Sequence, residues 1–149
     1  MGLSQEAAGR KHGWRSGLEK AVASILADNY GGDWGYEVAS IPFVQPAKER
    51  KYTPDFFLGN GIIIETKGRW MRGDRMKMLM VQEQHPNLDI RFVFSNARSR
   101  ISKKSKTTYA AYCERYGFLY AHKVVPKAWL AEPPEAVRVA AMEAIIEGG

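Results

Sequence analysis

Apolar residues follow two different periods along the chain, and the alternation between these periods marks out helices and strands. After Ser16, residues Leu18, Val22, Ile25 and Leu26 fall on one face of a helix. Short runs of Ile, Val and Phe bounded by Gly, Pro or Asn are typical of strands. The predicted elements are a helix from Ser16 to before Gly31, a strand over 36–44, strands over 56–58 and 62–64, a helix over 74–84, a strand over 88–94, a helix from Thr107 or Thr108 to Tyr116, a strand over 118–121, a helical turn over 126–130 and a final helix over 135–147.

The clearest local signal is a hairpin around Gly59-Asn60-Gly61. Apolar runs at 56–58 and 62–64 flank this turn sequence, which is a strong indication of two antiparallel strands. Together with the order of the other elements, the hairpin predicts a mixed α/β fold, in which a small central mixed sheet is flanked by helices.

The sequence predicts a capping residue for one helix and the apolar, inward-facing residues of two. We expect Asp74 to cap the helix that follows it. The inward-facing residues of that helix are predicted to be Met76, Leu79, Met80 and Val81, and the apolar surface of the final helix is predicted to be Val137, Ala141, Ala144 and Ile145.

Composition narrows the class of protein. A chain of 149 residues that is 45% hydrophobic and 26% charged suits a single domain with one core, here 1–149. The chain has no apolar run of about 18 residues and residues 1–13 lack a secretion signal, so we expect no membrane association. The single cysteine, Cys113, excludes an intramolecular disulfide, and we expect a reducing, cytoplasmic setting.

Charge is distributed unevenly along the chain. The net charge is +6, and between Arg91 and Lys127 nine Lys or Arg residues face one acid, Glu114. A surface that serves solubility normally mixes both signs. A block of one sign therefore indicates a polyanionic partner, most simply nucleic acid.

Cations that could contact phosphate lie in the N-terminal arm, around the start of the first helix, after the hairpin and in the polar loop 95–106. A flexible, cation-rich segment of low apolarity is typical of phosphate contacts. The candidate DNA-binding residues are Arg10, Lys11, Arg15, Lys20, Arg69, Arg72, Arg75, Arg98, Arg100, Lys103, Lys104 and Lys106.

The candidate chemistry lies on the hairpin. Asp55 begins the first strand, and Glu65 and Lys67 follow the apolar run of the second, on one face. Two carboxylates from adjacent strands make an oxygen site suited to Mg²⁺, for which Mn²⁺ can substitute. A neighbouring lysine can orient a water or stabilise a phosphoryl oxygen, so phosphodiester hydrolysis is predicted. The alternative is a surface hairpin with an ordinary Glu/Lys pair.

Two features remain open on the residues alone. Ser16 and Glu19 fit a capping box, which makes Glu19 a helix cap by its local pattern. The polar segment 45–50 could be a loop that folds back or an arm that crosses to a second subunit.

Several motifs together resemble a known family. The hairpin resembles the PD-(D/E)xK nuclease signature, and the chain from about Trp14 to Trp129 resembles the endonuclease I family of phage Holliday-junction resolvases. The strings that carry this resemblance are Arg15-Ser16-Gly17-Leu18-Glu19, Tyr52-Thr53-Pro54-Asp55-Phe56, Glu65-Thr66-Lys67-Gly68, Glu83-Gln84-His85-Pro86, Leu88-Asp89-Ile90-Arg91 and Val93-Phe94-Ser95.

The resemblance implies a function and an assembly. It implies Mg²⁺-dependent cleavage of four-way junctions and other branched DNA in the cytoplasm of an infected bacterial host, leaving 5′-phosphate and 3′-hydroxyl ends. It also implies a homodimer that exchanges its N-terminal elements, with 14–44 exchanged, 45–50 as the bridge and 51–149 as the catalytic core.

For individual residues, the resemblance implies that Glu19 is catalytic and reaches the partner's site. The Thr66 carbonyl would then hold the ion together with Asp55 and Glu65. The chain ends in an apolar sequence where the family has a basic tail, so we expect no DNA-binding role there. The alternatives are a restriction-like or general DNA nuclease of the same fold, and a DNA-binding module without catalysis.

Overall fold

The structure is a computed structural model that describes residues 13–45 and 48–148. Nearly all of the predicted N-terminal arm, including Arg10 and Lys11, lies outside these residues. The helices are α1 (Gly17–Asn29), α2 (Arg72–Gln84), α3 (Tyr109–Tyr116), α4 (Lys127–Ala131) and α5 (Ala136–Gly148). The strands are β1 (Trp34–Tyr36), β2 (Ile41–Gln45), β3 (Lys48–Tyr52), β4 (Phe56–Leu58), β5 (Ile62–Lys67), β6 (Asp89–Phe94) and β7 (Tyr120–His122).

Five strands form one mixed sheet in the order β1-β4-β5-β6-β7. The β1/β4 and β4/β5 pairs are antiparallel, whereas β5/β6 and β6/β7 are parallel. The parallel strands are joined through α2 and α3, because a parallel pair needs a long crossover connection. This arrangement confirms the predicted fold class, a mixed sheet flanked by helices.

The predicted hairpin is present as β4 and β5, with Phe57 opposite Ile63. Its turn requires glycine at Gly61 for two reasons. The φ angle there is +94°, which side chains rarely tolerate. A Cβ atom would also lie 2.6 Å from Cγ of Arg138, so α5 packs directly on the turn.

A separate antiparallel ribbon of β2 and β3 runs from the pair Ile41/Tyr52 to the pair Gln45/Lys48. The single strand predicted over 36–44 is therefore wrong. Glu37 has a φ of 51°, which turns the chain out of the sheet after β1 before it becomes extended again as β2. On both sides of residues 46–47 the chain folds back on itself; the exchange of N-terminal elements between subunits stays a prediction.

Different helices cover the two faces of the main sheet. On one face, α1 and α4 pack against Phe56, Ile64 and Val93. On the other, α2 and α3 pack against Phe92 and Phe94 around Trp70, which is 1% exposed. Burying a large apolar side chain of this kind contributes about 1.5–3 kcal/mol, so both faces stabilise the sheet on which the site is built.

Of the capping residues predicted for two helices, one is confirmed and one is wrong. Thr108 caps α3 through its side chain, and Gly117 ends it in the left-handed conformation, as predicted. By contrast, α2 begins after Met71 with no side-chain cap, so the capping role of Asp74 is wrong. The Asp74 carboxylate instead lies 3.9 Å from Lys67 and 3.9 Å from Lys77.

The predicted inner faces of two helices need correction. In α2, Met76 is 48% exposed and Met78 is buried in its place. In α5, Val137 is 54% exposed and Ala144 is also exposed, whereas Met142 and Arg138 are buried. The Arg138 guanidinium donates to the main-chain carbonyl oxygen of Asn60 at 2.8 Å, so the Arg138 side of α5 faces the hairpin turn. Among the described residues, no helix is long and apolar enough to span a bilayer.

Candidate active site

Two carboxylates meet where β4 and β5 lie side by side. Asp55, just before β4, is 4% exposed and Glu65, within β5, is 5% exposed. The Asp55 main-chain N–H donates to Glu65 Oε1 at 3.1 Å. The Thr66 N–H and hydroxyl both donate to Asp55 Oδ2, at 2.9 and 2.7 Å. Each carboxylate is therefore fixed through one of its two oxygens.

The second oxygen of each carboxylate faces a cation. Asp55 Oδ1 lies 3.4 Å from Nη2 of Arg15, and Glu65 Oε2 lies 3.7 Å from Nζ of Lys67. The Lys67 side chain is 20% exposed, so its ammonium group is accessible from the groove above the sheet. The two unanchored oxygens are thus the ones available to an incoming ligand.

Glu19 has a local and a long-range role at once. Its N–H donates to Ser16 Oγ at 3.0 Å, and its Oε1 accepts from the Arg15 N–H at 2.8 Å, which confirms the predicted cap of α1. The same side chain is 4% exposed and lies in one groove with Asp55, Glu65 and Lys67. The structure thus brings the four side chains predicted to be catalytic together within one chain.

Burial and like charge perturb the acids of this site. Burial raises the pKa of Glu65 well above its usual range, and the neighbouring Asp55 raises it further while Lys67 opposes the shift. Burial followed by the charge of Asp55 likewise raises the pKa of Glu19. Buried carboxylates with a like-charged neighbour require a compensating positive charge to remain ionised.

The site lies in an open groove of about 450 Å³. Its rim carries cations that the sequence did not connect with the carboxylates, Lys51 on β3 and Lys77 on α2. A larger groove of about 690 Å³ follows the β2–β3 ribbon and contains none of the four predicted catalytic residues. Only the spatial return of β3 and α2 to the hairpin reveals Lys51 and Lys77, because no local motif includes them.

Most of the candidate phosphate contacts in the described part of the chain are exposed, as such a role requires. Arg75 is an exception and its prediction is corrected: it is 7% exposed and its guanidinium donates to the Trp70 carbonyl oxygen at 2.5 Å. Arg91, counted in the basic block, is also buried. The exposed candidates are Arg15, Lys20, Arg69, Arg72, Arg98, Arg100, Lys103, Lys104 and Lys106.

The donor set fits a divalent ion through two carboxylates. Over residues 13–45 and 48–148, no three His, Cys, Asp or Glu side chains form a ready-made ligand cluster. Asp55 and Glu65 nevertheless each present one unanchored oxygen from a nearly buried position. One or two carboxylates completed by waters and substrate oxygens are the usual protein contribution to Mg²⁺ sites.

A mixed sheet that brings fixed carboxylates and a lysine into a groove rimmed by cations is consistent with a nuclease. Comparison with known proteins gives the particular group. The sequence profile of phage endonuclease I matches residues 1–147, and the chain belongs to the phage endonuclease I family.

Two relatives show how far this similarity extends. The chain is 47% identical over 124 residues to Endonuclease I of Escherichia phage T7, covering 83% of each protein. It is 49% identical over 124 residues to Endodeoxyribonuclease 1 of Enterobacteria phage T3, covering 83% of this chain and 81% of that protein. The family resemblance inferred from the motifs is thereby confirmed.

Proposed function

We propose that this endonuclease hydrolyses phosphodiester bonds of branched DNA, above all four-way junctions, with the help of Mg²⁺ or Mn²⁺. The observation that carries the proposal is the pair Asp55 and Glu65, each anchored through one oxygen and presenting the other to a cationic groove. The names of the two relatives, an endonuclease and an endodeoxyribonuclease, support DNA as the substrate.

Asp55 and Glu65, with the main-chain carbonyl of Thr66, would hold the divalent ion. When bound, such an ion lowers the pKa of the attacking water and neutralises charge at the phosphate. Thr66 also holds Asp55 in place, because its N–H and hydroxyl saturate the Oδ2 oxygen. Asp55 is then pre-oriented, with its other oxygen in contact with the Arg15 guanidinium at the groove mouth, which reduces the reorganisation needed at the moment of reaction.

Lys67 and Glu19 complete the site. Lys67 Nζ lies 3.7 Å from Glu65 and is accessible from the groove, so it can donate to the attacking water or to a phosphoryl oxygen. Glu19 adds a third carboxylate from α1. We expect hydrolysis to leave 5′-phosphate and 3′-hydroxyl ends.

The exposed cations of the loop 95–106 and the groove rim would follow the DNA backbone. Selection of a junction would then depend on the path and deformability of the backbone, with little reading of base edges. A homodimer with exchanged N-terminal elements would keep two sites at a fixed separation, which suits a substrate with two equivalent strands. We expect the enzyme to act in the cytoplasm of the infected bacterial host.

The test is cleavage of a labelled four-way junction and of a linear duplex with the same arm sequences, each with and without Mg²⁺. We expect Mg²⁺-dependent nicking of the junction and much slower cleavage of the duplex. Equal cleavage of both substrates would indicate a general DNA nuclease. Junction binding without nicking in Mg²⁺ or Mn²⁺ would indicate a binding module and overturn the proposal.

Sedimentation of the full chain at micromolar concentration tests the assembly separately. We expect the mass of a dimer. A monomer would remove the exchanged arrangement, while metal-dependent cleavage could still be observed.

A further inference from the structure

One guanidinium nitrogen contacts three carboxylates at the mouth of the groove. Nη2 of Arg15 lies 2.6 Å from Glu37, 3.4 Å from Glu19 and 3.4 Å from Asp55. The Arg15 side chain is 64% exposed, so it approaches these acids from the solvent side. Its shortest contact is therefore with Glu37, which stands outside the group of predicted catalytic residues.

Glu37 is held in an unusual backbone conformation. Its φ of 51° is uncommon for a residue with a side chain, and such a conformation persists where the surrounding structure fixes it. The Glu37 N–H donates to the Asp55 carbonyl oxygen at 2.7 Å, which ties this turn to the start of β4. The main chain of Glu37 thus has a defined position relative to Asp55, and its carboxylate extends from there to Arg15.

The difference in distance divides the roles of the three acids. At 2.6 Å, Arg15 and Glu37 form a charge-assisted hydrogen bond, whereas 3.4 Å to Glu19 and Asp55 indicates looser contacts. Glu37 therefore holds the guanidinium at the rim. From there the positive charge faces Glu19 and Asp55, each 3.4 Å away.

We propose that Glu37 is a positioning residue that holds Arg15 as a displaceable counter-ion of the carboxylate site. A divalent ion competes with the guanidinium for Asp55 and Glu19, and Glu37 keeps the displaced guanidinium at the rim, where a phosphate of the DNA can bind it. This inference rests on the proposed divalent-ion function of the same site.

Two substitutions separate the role of Arg15 from that of Glu37. Arg15→Gln removes the cation but keeps the main-chain N–H that bonds Glu19 at 2.8 Å, so the cap of α1 is preserved. Glu37→Gln keeps the size of the side chain but loosens its hold, which allows Arg15 to settle on Glu19 and Asp55. The first change should therefore favour ion binding, and the second should oppose it.

The experiment is a calorimetric titration of the full chain with Ca²⁺, without DNA, so that no cleavage occurs. Exposed ion pairs are worth up to about 1 kcal/mol each, so we expect Arg15→Gln to tighten Ca²⁺ binding about threefold to tenfold. We expect Glu37→Gln to weaken binding about threefold by the same reasoning. In an Arg15→Gln background, Glu37→Gln should lose most of this effect, because Glu37 acts through Arg15.

Matched controls remove the same charges elsewhere. Arg115→Gln on α3 and Glu83→Gln on α2 alter exposed residues outside the groove lining, and both should leave Ca²⁺ affinity unchanged. Melting temperatures without Ca²⁺ check that every variant is folded.

Three results would overturn the inference, and they differ in what else they affect. If wild type binds Ca²⁺ and Arg15→Gln binds it no more tightly than Arg115→Gln does, Arg15 is not a counter-ion, although the proposed function stands. If Glu37→Gln weakens binding equally with and without Arg15, Glu37 acts through its own charge. If wild type binds no divalent ion at all, both the proposed function and this inference fail.

Discussion

Two clusters of charged side chains lie at opposite ends of β5, and they differ in how acids and cations are paired. At the amino end, Arg91 and Arg138 meet Asp89 and Glu132 in a closed network, which we call the C-terminal ion network. At the carboxyl end lie the acids of the candidate active site. The first cluster matches each acid with a cation, whereas in the second the acids outnumber the cations that lie within ion-pair distance of them.

In the C-terminal ion network, every distance is short. Arg91 lies 2.5 Å from Glu132 and 2.8 Å from Asp89, and Arg138 lies 3.1 Å from each of these acids. The hydrogen bond from Arg91 lowers the pKa of Glu132 to about 2. Since Glu132 and Arg138 belong to the last part of the chain, this network joins that part to the sheet.

In the candidate active site, Arg15 and Lys67 lie near five carboxylates, those of Glu19, Glu37, Asp55, Glu65 and Asp74. Burial and repulsion raise the pKa of Glu65, the opposite of the shift at Glu132. The two ends of the same sheet thus have charge arrangements with different roles. Matched charges stabilise the fold, and unmatched carboxylates provide a place for a cation from solution.

The largest expected effect is the separation of activity from stability at Asp55. Asp55→Asn keeps an acceptor for Thr66 but removes the charge, so we expect junction cleavage to be lost and the melting temperature to be maintained or raised.

Lys67→Gln should reduce the cleavage rate about 10²–10³-fold, the usual cost of removing one preorganised charge-stabilising group. Single-turnover cleavage and thermal melting measure the two quantities. A variant of either kind that cleaves like wild type would contradict the assignment.

The next effect is on stability at the other end of β5. Arg91→Met would leave Asp89 and Glu132 short of one cation, and Arg91 itself is 4% exposed. Breaking a buried ion pair costs about 3–5 kcal/mol, and because these partners are partly exposed we expect about 2–3 kcal/mol in the free energy of unfolding. Urea denaturation measures this value, with the exposed Arg115→Met as control. Equal stability of the two variants would mean that the network does not hold the fold.

A smaller effect is the pH dependence of stability at Glu132. Its folded-state pKa of about 2 lies below the ordinary 4.5, so its contribution is present above pH 4.5 and is lost as the pH falls toward 2. Glu132→Gln should therefore be less stable than wild type at neutral pH and should lose less stability on acidification. Denaturation midpoints across this range test the prediction, and parallel curves for the two proteins would contradict it.

Glu65 should show the opposite sign. Its raised pKa means that the folded protein binds this proton more tightly than the unfolded chain does, so stability falls as the pH rises above 4.5. Glu65→Gln should remove that fall and be more stable than wild type at neutral pH. The same pH series measures it, and a less stable Glu65→Gln at neutral pH would show that the acids are not in excess.

The sequence predicted what depends on local chemistry. The turn at Gly59-Asn60-Gly61 and its apolar flanks were sufficient for the hairpin, and the spacing within that hairpin indicated the Asp55, Glu65 and Lys67 trio. Charge counting was less reliable, because a basic residue in a sequence shows no partner. Arg91 and Arg75 both appeared to be free cations, yet the fold buries them against acids and main-chain carbonyl groups.

Features that depend on distant contacts could not be predicted in this way. The division of the 36–44 segment into β1 and β2 follows from the positive φ of Glu37. Glutamate is not a typical turn residue, so the sequence gives no local signal for this turn. Glu19 fitted a helix cap locally, and only the family resemblance added a catalytic role. Its approach to Asp55 requires the packing of α1 on the sheet, a contact between residues far apart in sequence.

The most direct test of the account is the melting temperature of wild type, Glu65→Gln and Glu132→Gln, each with and without Mg²⁺ and without DNA. An ion that binds only the folded state stabilises it in proportion to the logarithm of its concentration over Kd. The account predicts that Mg²⁺ raises the melting temperature of wild type and of Glu132→Gln equally, and leaves that of Glu65→Gln unchanged. An equal rise in all three proteins, or none in wild type, would contradict the claim that the unmatched carboxylates form a divalent-ion site.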